Sequence, residues 1–412
     1  MTNREQRRAA AKAHVNPDPL TITWFSNAVW TNTGYSTQTR QAVTRLMADG
    51  HHVAVAANWG LQGMQTEYEG IQHFPMGYAP YSDDVVESYS KDWNRQHPDG
   101  RPITMVLFDA WPLTGPQWDR MPVAILCMVD HVPIPPKVRG FCEKPNVTPI
   151  AVSRFGEDQF GRAEIDCLYV PLAIDTGIYK PTASWSNGEK DLPGWKLMGW
   201  DDDDAFTVTI ANANKGVPGR KAWGENLLAF SIFAERHDDA RLYIHTERHG
   251  NVGGMPLDPI IASVGLKEHQ YRFVNQYAQH MGIPNEAMAA LYTATDVLLA
   301  ATYSEGFGLT PLEAQSCGTP VIVNDFTAQP ELLGDGWLTT NQVWWDAPQA
   351  SYWAVPNVMS IVEGLEAAYA RGKGRSDKAM AFAAGYDADL VYDTYWRPAL
   401  AALAQADPAP AP

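Results

Sequence analysis

Short apolar runs alternate with stretches of helical spacing along most of the chain. Leu20 to Phe25 alternates apolar and polar residues and runs into Ser26-Asn27, a strand leading into a loop. Helical spacing begins near Tyr35 and continues to about Asp49, with Gly34 at its entrance and Gly50 as its stop, and a second strand spans His52 to Ala57. Strand, glycine loop, helix and strand is the opening of a Rossmann-like half, here without GxGxxG. Ile103 to Phe108 and Val123 to Val129 are continuously apolar, as expected of parallel strands buried on both faces, and they end at Asp109 and at Asp130-His131. Thr148 to Val152 and Leu168 to Pro171 continue the pattern.

A second alternation begins after a change in composition. Between Thr182 and Asp204 the sequence is rich in Gly, Trp and Asp and reads as a linker with an insertion. Its four consecutive aspartates are a solvated charge run, because metal ligands normally come from spaced positions. Phe206 to Ala211, Arg241 to His245, Tyr271 to Val274, Val297 to Ala300 and Val321 to Val323 read as strands. Helices are expected near Ala222 to Glu235, Pro284 to Thr293 and Tyr352 to Tyr369, and over Ser376 to Leu403, where Pro398 should bend or split the last one. The expected organisation is a flexible tail (1–19), a first domain (20–181), the linker (182–204), a second domain (205–375), a terminal helical segment (376–404) and a disordered tail (405–412).

Bulk properties narrow the function. At 412 residues and 45% apolar content, the chain is long enough for two domains with separate cores. A formal net charge of −16 argues against a nucleic-acid partner and against firm adhesion to anionic lipid. No apolar run reaches membrane-spanning length and the first residues lack a signal core, so a cytoplasmic location is expected. Cys127, Cys142, Cys167 and Cys317 form no CxxC pair and read as reduced core residues, not as a metal site.

The chemistry concentrates in SEGFGLTPLEAQSCGTPVIVND, Ser304 to Asp325, between two of the apolar runs. Gly306 and Gly308 leave the backbone uncrowded before a helix beginning near Leu309, so its N–H groups can face an anion. Glu305 and Glu313 bracket that turn, and ionised carboxylates there suit sugar and ribose hydroxyls. Arg220 and Lys221, two cations near a helix N-terminus, are electrostatically odd unless an anion compensates them. Polar residues at strand ends, among them Asp130 and His131, lie where open α/β sheets bind ligands, although a lone histidine is more often structural.

Glu-Gly-Phe-Gly-Leu, Pro-Leu-Glu-Ala, Cys-Gly-Thr-Pro-Val-Ile and Pro330-Glu331 together resemble the donor-site signature of glycosyltransferase family 4, the retaining GT-B transferases. Thr310 and Tyr303 stand where the family usually has proline. The resemblance implies an α/β GT-B fold: two Rossmann-like domains facing across a cleft, with a C-terminal helix crossing back to the first. It implies a metal-independent hexosyltransferase whose co-substrate is a nucleotide diphosphate sugar, with no cofactor. Carried over residue by residue, it places Glu305 by the sugar, Glu313 on the ribose, Lys221 and Arg220 on the diphosphate and His131 near the transferred sugar. Gly306, Phe307, Gly308, Leu309, Thr310, Asn214 and Lys215 would line the donor, and Gly34, Tyr35 and Asp130 would lie on the acceptor side. The acceptor is not legible; the acidic charge favours a soluble one, with protein and glycan surfaces among the candidates. A GT-B epimerase or phosphorylase, or a non-catalytic sugar-nucleotide binder, remains the alternative.

Overall fold

The computed structural model describes residues 19–405. The expected tails fall outside the described residues, apart from Pro19 and Gln405. The chain divides into two compact units: one comprises the residues up to Val129, Pro133–Ala173 and those from Asp389 onward, the other Asp130–Val132 and Ile174–Ala388.

The first unit is an eight-stranded sheet of β1 (Leu20–Asn27), β2 (His52–Trp59), β3 (Thr66–Tyr68), β4 (Ile71–Phe74), β5 (Arg101–Val106), β6 (Val123–Cys127), β7 (Val147–Ala151) and β8 (Leu168–Tyr169). Its order is β3-β4-β2-β1-β5-β6-β7-β8, parallel except for β3 against β4. All eight residues of β1 are buried, as expected of a strand with neighbours on both edges. The helix Gly34–Ala48 follows; Thr33 caps it by accepting from the Ser36 N–H at 3.1 Å. Strand order reverses between β1 and β5, so the loops after these two strands flank a topological switch point. Tyr35 and Phe108 meet there, ring centroids 5.8 Å apart.

The chain returns to this unit at Asp389. Trp396 packs on Trp24 at 5.9 Å, and buried Asp49 accepts from Arg397 at 2.7 and 2.9 Å and from the Tyr392 hydroxyl at 3.2 Å. The terminal segment is not one bent helix. It is broken into Asp377–Ala383, Ala388–Val391, a π-turn Tyr392–Trp396 and Arg397–Gln405. The wider turn lies just ahead of Pro398, which has no N–H to return to the preceding turn.

In the second unit, β9 (Ser184–Ser186) and β10 (Asp191–Pro193) form a hairpin followed by the short helix Gly194–Leu197. Residues 182–204 are thus folded onto this unit: a Cβ on Gly194 would lie 2.1 Å from the Ala290 carbonyl oxygen. Asp201 to Asp204 are exposed, as a solvated run should be. The main sheet contains β11 (Phe206–Ala211), β12 (Ala240–His245), β13 (Tyr271–Phe273), β14 (Val297–Ala300), β15 (Val321–Asn324) and β16 (Gly336–Thr339), all parallel, in the order β13-β12-β11-β14-β15-β16. Every residue of β11, β14 and β15 is buried. Val208, Ile210, Leu242, Ile244, Leu299 and Ile322 form a core with Trp223, Phe230 and Phe233 on one helix and Ile361 and Leu365 on another.

The expected helix from Tyr352 to Tyr369 is helical only from Val358 onward. β17 (Asn341–Asp346) and β18 (Ser351–Pro356) form an antiparallel hairpin, and the helix runs from Val358 to Arg371. Pro356 ends the strand, and Asn357 starts the helix by accepting from the Met359 and Ser360 N–H groups.

Candidate active site

In the second unit, strand order reverses between β11 and β14, and the residues singled out in Ser304–Asp325 lie just past the end of β14. Gly308, with φ +131°, turns the chain into the helix Leu309–Ser316 and, having no side chain, supplies it no cap; among the described residues no side-chain cap is seen there. A residue with a Cβ is strained at such a φ, which explains the glycine. The first N–H groups of the helix, beginning with Leu309 and Thr310, therefore receive no side-chain cap.

Glu305 is locked into the tip. Its N–H donates to Thr327 Oγ1 at 3.0 Å, and its carbonyl accepts from the Ala328 N–H at 3.3 Å. Its carboxylate accepts from Lys221 Nζ at 2.5 Å, Thr302 Oγ1 at 2.9 Å and Arg220 at 3.1 Å. Arg220 also donates to the Ser304 carbonyl. Both cations are presented by the turn before the helix Trp223–Ala234, where Ala222 adopts a left-handed φ of 52°. That turn is tied to the strand end: the Tyr303 N–H donates to the Arg220 carbonyl at 2.9 Å, and the Asn226 amide donates to the carbonyls of Lys221 and Ala301. Burial pushes the Glu305 carboxyl up, but Lys221 and Arg220 outweigh it and hold Glu305 below the usual carboxylate range. Burial and the neighbouring Arg220 pull Lys221 below an ordinary lysine, against the opposing attraction of Glu305. Two cations hydrogen-bond to the one Glu305 carboxylate, and Asp130 also acts on both, so an arriving anion competes with these carboxylates for the cations.

Glu313, one turn into the Leu309–Ser316 helix, belongs to a different group. It accepts from the Tyr292 hydroxyl at 3.3 Å and is hydrogen-bonded to Tyr179. Burial raises its pKa to about 7, with the two tyrosine hydroxyls pulling the other way.

Asp130 and His131 join the same unit through a strand-like contact. The N–H groups of Val132 and Tyr352 each donate to the other's carbonyl at 3.0 Å. His131 Nδ1 faces Asp130 Oδ1 at 2.6 Å and its Nε2 faces Asp346 Oδ2 at 3.2 Å. Burial pulls Asp130 up, but His131, Arg220 and Lys221 together hold it below the usual carboxylate range. That influence links the histidine pair to the Glu305 cluster. Trp353 lies flat against the imidazole, centroids 5.6 Å apart at 22°, and meets the Tyr303 ring edge-on.

The remaining sequence candidates are placed differently. Asn214 is buried and its amide is committed to structure: it donates to the carbonyls of Glu247 and Met255 and accepts from the Met255 N–H. Lys215 is exposed, Gly306 and Phe307 are buried, and Gly34 and Tyr35 belong to the first unit. His245, at the end of β12, is pushed by burial down to about 4 and so is neutral at physiological pH. Among the described residues, His52, His97 and Asp99 in the first unit bring possible metal ligands within 4.8 Å of one another. The two imidazoles are stacked at 22°, which sets their in-plane lone pairs side by side instead of converging on one ion.

Sequence reasoning missed Trp353 by reading the second hairpin strand as helix, missed Asp346 by giving the first strand no element, and missed the tyrosines around Glu313. Runs of aromatic and β-branched residues in QVWWD and SYWAV, separated by a turn containing Ala347-Pro348, were the available signal for the hairpin.

Residues 267–361 match the family model described as glycosyl transferases group 1. O-antigen chain mannosyltransferase B of Escherichia coli is 41% identical over 59 residues, which is 14% of this chain and 16% of that protein. D-inositol 3-phosphate glycosyltransferase of Corynebacterium kroppenstedtii is 30% identical over 112 residues, 27% of this chain and 24% of that protein. These matches span less than a third of either partner. Whole-chain likeness comes from solved structures. Sucrose-phosphate synthase from Thermosynechococcus elongatus superposes with a TM-score of 0.69 at 15% identity, covering 93% of this chain and 100% of that one. HepE of Anabaena, in complex with UDP and glucose, gives 0.64 at 13% identity, covering 92% and 99%. The fold is therefore that of GT-B glycosyltransferases, with two Rossmann-like units built on parallel sheets.

Proposed function

We propose, for a chain that carries a glycosyl transferases group 1 segment on a GT-B fold, that it moves a hexosyl unit from a nucleotide diphosphate sugar to a hydroxyl acceptor with retention of anomeric configuration. The observation that carries this reading is the Glu305 carboxylate held by Lys221 and Arg220 beside an uncapped helix N-terminus. Breaking the anomeric bond builds negative charge on the departing diphosphate. Fixed cations and backbone N–H groups stabilise that charge more than they stabilise the bound donor, which lowers the barrier. On this reading Lys221 and Arg220 replace the divalent metal that other transferases use, and the leaving phosphate accepts the acceptor's proton as the new glycosidic bond forms on the same face. Glu313 holds the ribose, and His131 with Asp130 borders the transferred sugar.

Because several similar structures are named for UDP or a UDP-sugar, uridine heads the donor panel. The reaction is assigned to the cytoplasm, in keeping with the lack of any helix long and apolar enough to cross a membrane among the described residues. The test begins with thermal unfolding against a panel of nucleoside diphosphates and their sugars, since a ligand that binds only the folded state raises its stability. Incubation of the selected donor with a hydroxyl acceptor mixture should then yield free nucleoside diphosphate and a glycoside of unchanged anomeric configuration. An isomerised sugar or a sugar phosphate would replace this reading with an epimerase or phosphorylase. Binding without turnover would replace it with a sugar-nucleotide binder.

A further inference from the structure

We propose that Asp346, on the hairpin β17–β18, is a positioning residue: with Asp130 it clamps the His131 imidazole at both nitrogens and fixes the ring's orientation toward the donor site. The role of His131 beside the sugar rests on the function proposed above; the clamp itself rests on geometry alone.

Three constraints act on the ring. Asp130 Oδ1 lies 2.6 Å from Nδ1, Asp346 Oδ2 lies 3.2 Å from Nε2, and the Trp353 indole covers one face. A carboxylate accepts and does not donate, so each ring nitrogen facing one must carry a proton. The clamped species is the imidazolium. Both His131 and Asp346 are buried, so their contact is little weakened by bulk water, whereas Asp130 is partly exposed.

The hairpin that supplies Asp346 is itself fixed. Tyr352 exchanges two backbone hydrogen bonds with Val132, the Ala354 N–H donates to the Tyr303 carbonyl at 3.1 Å, and the Asn324 amide donates to the Ala354 carbonyl at 2.9 Å. Trp344 stacks on Trp353 at 5.2 Å and 12°, so Trp353 is stacked with both Trp344 and His131. Strand alternation accounts for this: Trp344 and Asp346 are two residues apart, and Trp344 pairs directly with Trp353. One hairpin face therefore delivers both the carboxylate and the aromatic cover.

The charged groups acting here are Asp130 beside the histidine, Asp346 across the hairpin, and Lys221 and Arg220, which act on Asp130. Burial opposes the imidazolium, but the two carboxylates outweigh it and raise the pKa of His131 above the ordinary histidine value. A histidine so held donates two hydrogen bonds and does not act as a base near neutral pH.

The test is ¹⁵N NMR of the imidazole nitrogens in the full-length protein, with the His131 signals assigned by their loss in His131→Gln. In the wild type both nitrogens should be protonated at pH 7; a neutral ring there overturns the clamp without recourse to any variant. In Asp346→Asn the midpoint of His131 should fall by about one pH unit, a tenfold change in its protonation constant, and Asp346→Glu should restore at least part of the shift. In the transfer assay the alkaline limb of the kcat profile should move down with that midpoint, while the Kd for the nucleoside diphosphate stays unchanged. A shifted NMR midpoint with an unmoved kcat profile overturns the positioning role. Loss of nucleotide binding in Asp346→Asn also overturns it, as a general structural effect. Lack of transfer by the wild type would defeat the proposed function, and the NMR arm would still decide the clamp.

Discussion

Replacing Glu305 by glutamine leaves Lys221 and Arg220 facing one another without their shared counter-charge. The exposure of the three side chains sets the magnitude: 14% for Glu305, 16% for Lys221 and 32% for Arg220. Solvent screens the first pair little, so the substitution falls in the class that strands a buried charge, which costs about 3 kcal/mol. For a unit the size of residues 174–388, that loss lowers the unfolding temperature by roughly 6–12 °C. The same substitution should act oppositely on ligand binding. Glu305 competes with an incoming diphosphate for both cations, and removing it should tighten nucleoside diphosphate binding by about tenfold, the equivalent of one charge-assisted hydrogen bond. Differential scanning calorimetry without ligand, followed by titration calorimetry with the nucleoside diphosphate, reads both effects. Glu305→Gln should therefore melt early when empty, recover much of the loss when liganded, and transfer sugar poorly. A variant that melts at the wild-type temperature and binds nucleotide no more tightly would refute the reasoning, because Glu305 would not be the counter-ion of the two cations.

Glu313, with its pKa raised by burial to about 7, is protonated in the folded protein over a range where the unfolded chain ionises it. Its contribution to stability is complete below about pH 4.5 and is lost as pH rises through about 7; the midpoint of urea unfolding in Glu313→Gln should lack that decline. If ribose hydroxyls donate to Glu313, nucleotide affinity rises from pH 6 to 8 with release of up to one proton, measured by calorimetry in buffers of different ionisation enthalpy, and a pH-independent affinity would remove Glu313 from the ribose. Transfer should persist in excess EDTA, whereas activity abolished by EDTA and restored by manganese would reject catalysis by Lys221 and Arg220 alone. Asn214→Ala removes three partly buried hydrogen bonds to Glu247 and Met255 and should cost about 2–4 kcal/mol in urea unfolding; an unchanged midpoint would show that these contacts do not hold the loop.

What the sequence made legible follows from the range over which each signal acts. The parallel strands were readable because a strand buried on both faces is rich in apolar and β-branched residues, and β11 and β14 occupy Phe206–Ala211 and Val297–Ala300 as their runs predicted. Gly308 was readable as a tight turn before a helix for an equally local reason, its φ of +131°. The hairpin was not. Tyr352, Trp353 and Val355 fit a helical stripe that continues into Val358 and Ile361, and a short apolar segment does not declare its period. Pro356-Asn357, a strand stop followed by a helix cap, marked the true boundary.

That one misreading hid the most consequential contact in the site. His131 and Asp346 are 215 positions apart, and no spacing rule connects them. His131 stood in the sequence as a lone histidine, a residue type more often structural than chemical, because its second partner lay in a segment given no element, paired with a strand that was read as helix. Had β18 been read as a strand, its turn would have implied β17, and alternation would have set Asp346 and Trp344 on one face with Trp353 opposite. Asp346 would then have stood out as a buried acid seeking a partner. Correct local assignment was thus a precondition for posing the tertiary question, and only the three-dimensional arrangement could answer it.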